Sequence, residues 1–128
     1  MYILNDLLNL VHFYIGKRKN NMDAIQAYKY AANVVKGRWL EGEPIIAKDA
    51  YISIFYAKNV IGGRFLEGEK AIAKNGQYAY FYAENVIKGR WPEGEEAILN
   101  SSCAEEYKNL YMFKPFVEFS SFLKKKVN

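Results

Sequence analysis

The chain has 128 residues, of which 51% are hydrophobic, 25% charged and 16% aromatic, with a formal net charge of +4. That size and balance suit one globular domain whose single core needs no covalent staple. One cysteine, Cys103, excludes an intramolecular disulfide and points to a reducing cytoplasm.

In chain order, residues 1–22 come first and are expected to form an N-terminal cap. An apolar stripe runs through Ile3, Leu4, Leu7, Leu8, Val11 and Ile15 and stops at Gly16. Asn5, Asp6 and Asn9 interrupt it, which argues against a membrane span, and no basic start or cleavage site marks a signal peptide.

Three gapless copies follow: YAANVVKGRWLEGEPII from Tyr30, YAKNVIGGRFLEGEKAI from Tyr56 and YAENVIKGRWPEGEEAI from Tyr82. They stand 26 residues apart and share ten identical positions. A short fixed period is the signature of a stacked array. The repeats span 23–48, 49–74 and 75–100, and 101–128 read as a degenerate copy with a C-terminal cap carrying Phe116, Phe119, Phe122 and Leu123. The expected fold is all-α: a short right-handed α-solenoid of helix-pair repeats, closed by N- and C-terminal capping helices in a single domain.

Each repeat predicts a longer helix and a shorter one. Asp23, Asp49, Asn75 and Ser101 share one register, and all are residue types that cap helix N-termini. In the third copy Ala79, Ala83, Val86 and Ile87 make one apolar stripe beside Tyr82. The longer helix should stop at Gly37, Gly63 and Gly89, read as left-handed C′ residues, and at Pro115 in the fourth copy. The shorter helix follows the pairs Arg38-Trp39, Arg64-Phe65 and Arg90-Trp91. Pro92 suits its first turn, as do Glu41, Glu67 and Glu93 with Glu43, Glu69 and Glu95 beside the helix dipole.

The recurring residues read as frame. Arg38, Arg64 and Arg90 should pair with carboxylates of their own or the next repeat, because a planar fork grips a carboxylate with two bonds. Trp39, Phe65 and Trp91 should pack between helices; base stacking is the sharper alternative. Asn33, Asn59 and Asn85 suggest a ladder to loop backbone between repeats. The columns that differ between copies are the candidates for partner binding. They are Tyr28, Ile54 and Tyr80; Lys29, Phe55 and Phe81; and Ala32, Lys58 and Glu84.

Nothing in the chain forms a catalytic or metal constellation. His12 is the lone histidine, Cys103 reads as packing, and GRWLEGEP lacks the Gly-Lys-Ser/Thr ending of a phosphate loop. No cofactor or metal is expected, and an enzyme is the least expected class.

The string YAxNVIxGRWxEGExxI, covering about residues 23–114, resembles short tandem repeats in uncharacterised reading frames of tailed bacteriophages. More loosely it is similar to variant leucine-rich α-solenoids. Phage members often carry proline after the N-cap, where this chain has Ala24, Ala50 and Gly76. The resemblance implies a phage or prophage origin and supplies no catalytic residues. The expectation is a non-catalytic binding protein acting on a host or defence component in the bacterial cytoplasm, with an anti-CRISPR or other anti-defence inhibitor as one instance. Two rivals stand beside it. One is nucleic-acid binding through the clusters Lys17-Arg18-Lys19 and Lys124-Lys125-Lys126, more simply read as solvated ends. The other is head-to-tail self-assembly.

Overall fold

A computed structural model describes residues 22–113. Every regular element among them is a helix and no strand occurs, so the protein is all-α. Met22 apart, the expected N-terminal cap lies outside the described residues, as do the C-terminal cap, both basic clusters, His12 and Pro115. Two compact units divide the chain, one ending at Ala71 and the other starting at Ile72.

In the first unit, Asp23 accepts from Gln26 N at 2.8 Å while the Gln26 side chain accepts from Asp23 N at 3.0 Å. This capping box satisfies two donors that the helix start would orphan. It opens α1, Ala24–Tyr30, which widens into a π turn over Ala31–Val35. A 3₁₀ turn, Leu40–Gly42, leads into α2, Glu43–Ile46. Asp49 then caps α3, Ala50–Tyr56, through Ile52 N at 2.9 Å, and a π turn follows over Ala57–Ile61. Helix α4, Leu66–Ile72, closes the second repeat. Ala27, Tyr30 and Ala31 on α1 are buried, and so are Ser53, Tyr56 and Ala57 at the matching places of α3. The small residues let α1 lie close against both α2 and α3. Ser53 is the polar member of that stripe, and its hydroxyl donates to Ile46 O at 2.9 Å.

In the second unit, Asn75 Oδ1 accepts from both Gln77 N and Tyr78 N at 3.0 Å. It caps α5, Gly76–Tyr82, followed by a π turn over Ala83–Ile87. Helix α6, Pro92–Leu99, carries its proline in the first turn, where the missing N–H costs nothing. Helix α7, Ala104–Tyr107, ends in a fourth π turn, Lys108–Met112. The expected stripe holds here: Ala79, Tyr82 and Ala83 are buried, with Val86 and Ile87 half-buried.

Two expectations about helix ends are corrected. The left-handed residues are Lys36, Gly62 and Lys88, at φ 59°, 73° and 59°, one position before the glycines named from sequence. The π turn is the reason. Lys36 N and Gly37 N both donate to Ala31 O, Gly62 N and Gly63 N to Ala57 O, and Lys88 N and Gly89 N to Ala83 O. Aiming two successive N–H groups at one carbonyl forces the chain to reverse at the earlier residue. Nothing within 4 Å would meet a side chain at Gly37, Gly63 or Gly89; the structure does not explain these three glycines. Nor does Ser101 cap the fourth long helix. Its hydroxyl donates to Ile98 O at 2.6 Å and accepts from Cys103 N at 3.2 Å, and the helix starts only at Ala104. Tyr107 follows Tyr82 by 25 residues rather than 26, so this copy is one residue short and its register shifts.

Among the glycines of the repeat motif, those with a steric reason are Gly42 and its equivalents Gly68 and Gly94. A Cβ at Gly42 would overlap the Trp39 ring, one at Gly94 the Trp91 ring, and one at Gly68 would fall 2.7 Å from Phe65 Cδ2. The short helix starts directly against an aromatic face, and only glycine leaves room.

Candidate functional site

The arginine and the second glutamate of each repeat pair with one another. Arg38 Nε and Nη2 donate to Glu43 Oε2 and Oε1 at 2.9 and 2.8 Å, and Arg64 grips Glu69 the same way at 2.9 and 2.6 Å. Arg90 Nε and Nη2 both reach Glu95 Oε1 at 2.8 Å. Each arginine therefore pairs within its own repeat. The acceptor is the second glutamate of the motif. Glu41, Glu67 and Glu93 are exposed and stand in the first turn of the short helix, where the sequence reading placed them. A glutamate at the second position points back toward the preceding loop, where the arginine lies.

Glu43 is only 1% exposed and accepts a further hydrogen bond from the Tyr56 hydroxyl at 2.6 Å. That hydroxyl in turn accepts from Trp39 N at 3.0 Å. In the second unit the Tyr107 hydroxyl accepts from Trp91 N at 2.9 Å. Burial pushes the Glu43 carboxyl upward, but the hydrogen bonds from Arg38 and Tyr56 outweigh it and hold the group below its ordinary value. Burial, then the Glu43 carboxylate, pushes the Tyr56 phenol up to about 12. A low carboxyl beside a high phenol stays ionic and protonated respectively across the neutral range, which makes a clasp and not an acid/base pair.

Trp39 packs edge-on against Tyr30 with ring centroids 4.5 Å apart, Phe65 does the same against Tyr56 at 5.0 Å, and Trp91 lies tilted against Tyr82 at 4.9 Å. Phe65 and Trp91 are 1% exposed, so neither offers a face for base stacking. The asparagines do not bond loop backbone between repeats. Asn59 donates to the Tyr28 hydroxyl at 3.1 Å, and Asn85 to Phe81 O of its own helix at 2.9 Å.

The variable columns separate. Ile54 is 1% exposed and leaves the candidate surface. The rest of its column is only partly accessible. Tyr28 there is half-buried and bonds Asn59, and Tyr80 is half-buried with its phenol raised by burial and then by Glu84 and Glu106. The other two columns do face solvent. Lys29, Lys58, Phe81 and Glu84 are exposed, and Phe55 and Ala32 are half-exposed.

A column missed from sequence completes that face. Ile25 is 49% exposed, Tyr51 51%, and Gln77 is exposed too. Positions 25, 29 and 32, then 51, 55 and 58, recur at i, i+4 and i+7 and so share one side of a helix. They lie opposite the buried set Ala27, Tyr30 and Ala31, and its equivalent Ser53, Tyr56 and Ala57. Helical-wheel placement against the alanine stripe would have found this ridge; comparing copies for variability alone did not. On α3 the Tyr51 and Phe55 rings meet edge-on at 4.8 Å.

The first unit also holds an open groove between Met22–Ala24 and the segment Pro44–Asp49. Its carboxylates Asp23 and Asp49 are occupied as helix caps. Among the described residues no group of His, Cys, Asp and Glu gathers as a metal site, and no helix is long and apolar enough to cross a membrane. No protein-family model matches the chain, and neither a curated protein nor a solved structure is similar enough to count as a match.

Proposed function

We propose that this chain is a non-catalytic helical-repeat protein that binds another protein along the outer ridge of its long helices. Each of its 26-residue units contributes a longer and a shorter helix, the building block of an α-solenoid. The chain is of phage origin and works in the bacterial cytoplasm, occluding a host or defence component. The observation that carries the binding function is the apolar surface left on the solvent side of each long helix. In the first unit Ile25 and Tyr51 keep 49% and 51% of their surface in water, and in the second Phe81 keeps 39%. They stand where copies differ, whereas the shared arginines hold glutamates and the shared aromatics pack within the fold. Large rings on a rigid element anchor protein interfaces at low entropic cost.

The test is capture from bacterial lysate with the wild-type chain and with the pair Tyr51→Ser and Phe81→Ser. A stoichiometric protein retained by the first and lost by the second supports the proposal. Recovery of none sinks it.

A further inference from the structure

The two long helices of the first unit carry an asymmetric charge. Ala24–Val35 and Ala50–Ile61 contain no aspartate or glutamate. Their solvent side holds Lys29 and Lys58, and Lys36 follows the first π turn; all three are exposed. Among the described residues, no ion pair engages any of them. The nearby guanidiniums are different, since Arg38 and Arg64 already hold Glu43 and Glu69. The cap carboxylates Asp23 and Asp49 are engaged by Gln26 N and Ile52 N. Along the ridge, then, the positions nearest the caps are apolar, Ile25 and Tyr51; the middle position holds Lys29 in one helix and Phe55 in the other; and the far end carries Lys58 and Lys36.

We infer that this face docks an acidic segment of a protein partner, one that places an apolar side chain over Ile25 and Tyr51 and carboxylates over Lys29, Lys36 and Lys58. The inference rests on the proposed binding function and deepens it by giving the partner's chemistry. Exposed lysines with no ion pair among the described residues are complementary to negative charge, and such complementarity selects partners and speeds encounter. The apolar end supplies the anchor that charge alone does not. A nucleic acid fits less well: the arginine forks that grip phosphate are taken up internally, and an aliphatic Ile25 shares the apolar end with Tyr51. The order of the two ends also fixes the direction in which the segment lies.

The experiment is fluorescence anisotropy with three labelled probes. These are a peptide alternating Glu and Asp with Leu and Phe, the same peptide with Lys for each acid, and a single-stranded oligonucleotide of similar length. The acidic peptide should bind best, weakening as salt rises. The double variant Lys29→Glu, Lys58→Glu should weaken it roughly tenfold or more. Tyr51→Ser should do the same, since an exposed ring can be removed without opening the core. Lys70→Glu, an exposed lysine on α4 away from the ridge, should leave binding unchanged. Preference for the basic peptide or the oligonucleotide overturns the inference. So does equal loss with Lys70→Glu, which would mean net charge and not a site, and so does indifference to the ridge variants. If the peptides fail while a lysate partner is still lost with Tyr51→Ser and Phe81→Ser, only the acidic chemistry falls. If that capture also fails, the binding function falls with it.

Discussion

The hydroxyl of Tyr56 lies 2.6 Å from the Glu43 carboxylate and donates to it, so a residue of the second repeat closes the ion pair of the first. The same hydroxyl takes the N–H of Trp39 at 3.0 Å. A single phenol thus satisfies a buried anion and a backbone donor that would otherwise face apolar surroundings.

Tyr56→Phe removes both bonds at once. Leaving a buried acceptor short and a buried N–H unpaired costs about 1–3 kcal/mol each, more where a charge is involved. The variant is expected to lose roughly 2–4 kcal/mol in chemical denaturation. Tyr107→Phe frees Trp91 N and loses a contact with Glu95, which is less buried than Glu43, so it should lose less. A Tyr56→Phe variant as stable as wild type would show the clasp to be energetically idle.

Stability should fall at both extremes of pH. Glu43 is held below its ordinary value of 4.5, so the native state binds its proton less readily than the unfolded chain. Its contribution is complete above that value and is lost as the pH falls through the lower folded one. Tyr56 has the opposite sign, rising from 10.0 to about 12. Its contribution is complete below 10.0 and is lost as the pH climbs toward 12. Denaturation midpoints across pH, with Glu43→Gln and Tyr56→Phe as controls, should show the acid limb flatten in the first variant and the alkaline limb in the second.

Two invariant glycines of the motif should behave differently. Gly42→Ala and Gly94→Ala push a methyl into the Trp39 and Trp91 rings. Overpacking of this kind costs about 1–3 kcal/mol. Gly37→Ala meets nothing within 4 Å and has no positive φ, so its stability should stay within about 0.5 kcal/mol of wild type. Thermal melts of the three proteins decide it, and equal losses would refute the packing account.

Lys88 occupies the left-handed region at φ 59°, where Gly62 sits in the equivalent turn at 73°. A side chain there costs about 1–2 kcal/mol. Lys88→Gly should therefore raise the melting temperature slightly, and Gly62→Lys should lower it. Shifts of the same sign in both would disprove the strain assignment.

Much of this architecture was legible in one sequence. The 26-residue period, the caps at Asp23, Asp49 and Asn75, the buried alanine stripe and the pairing of each arginine with a carboxylate, in its own or the next repeat, all follow from local rules. Spacing, hydrogen-bonding capacity and charge are written residue by residue. Which glutamate accepts each arginine, the π turns that move the left-handed residue to Lys36, and the one-residue deletion that displaces Ser101 needed coordinates. So did the candidate surface, because Ile54 and Tyr51 are both apolar and differ only in whether a neighbouring helix covers them. A pattern along the chain tells which side chains seek burial. Only the packing of one helix on the next decides which of them are left facing water, and the binding ridge consists of those.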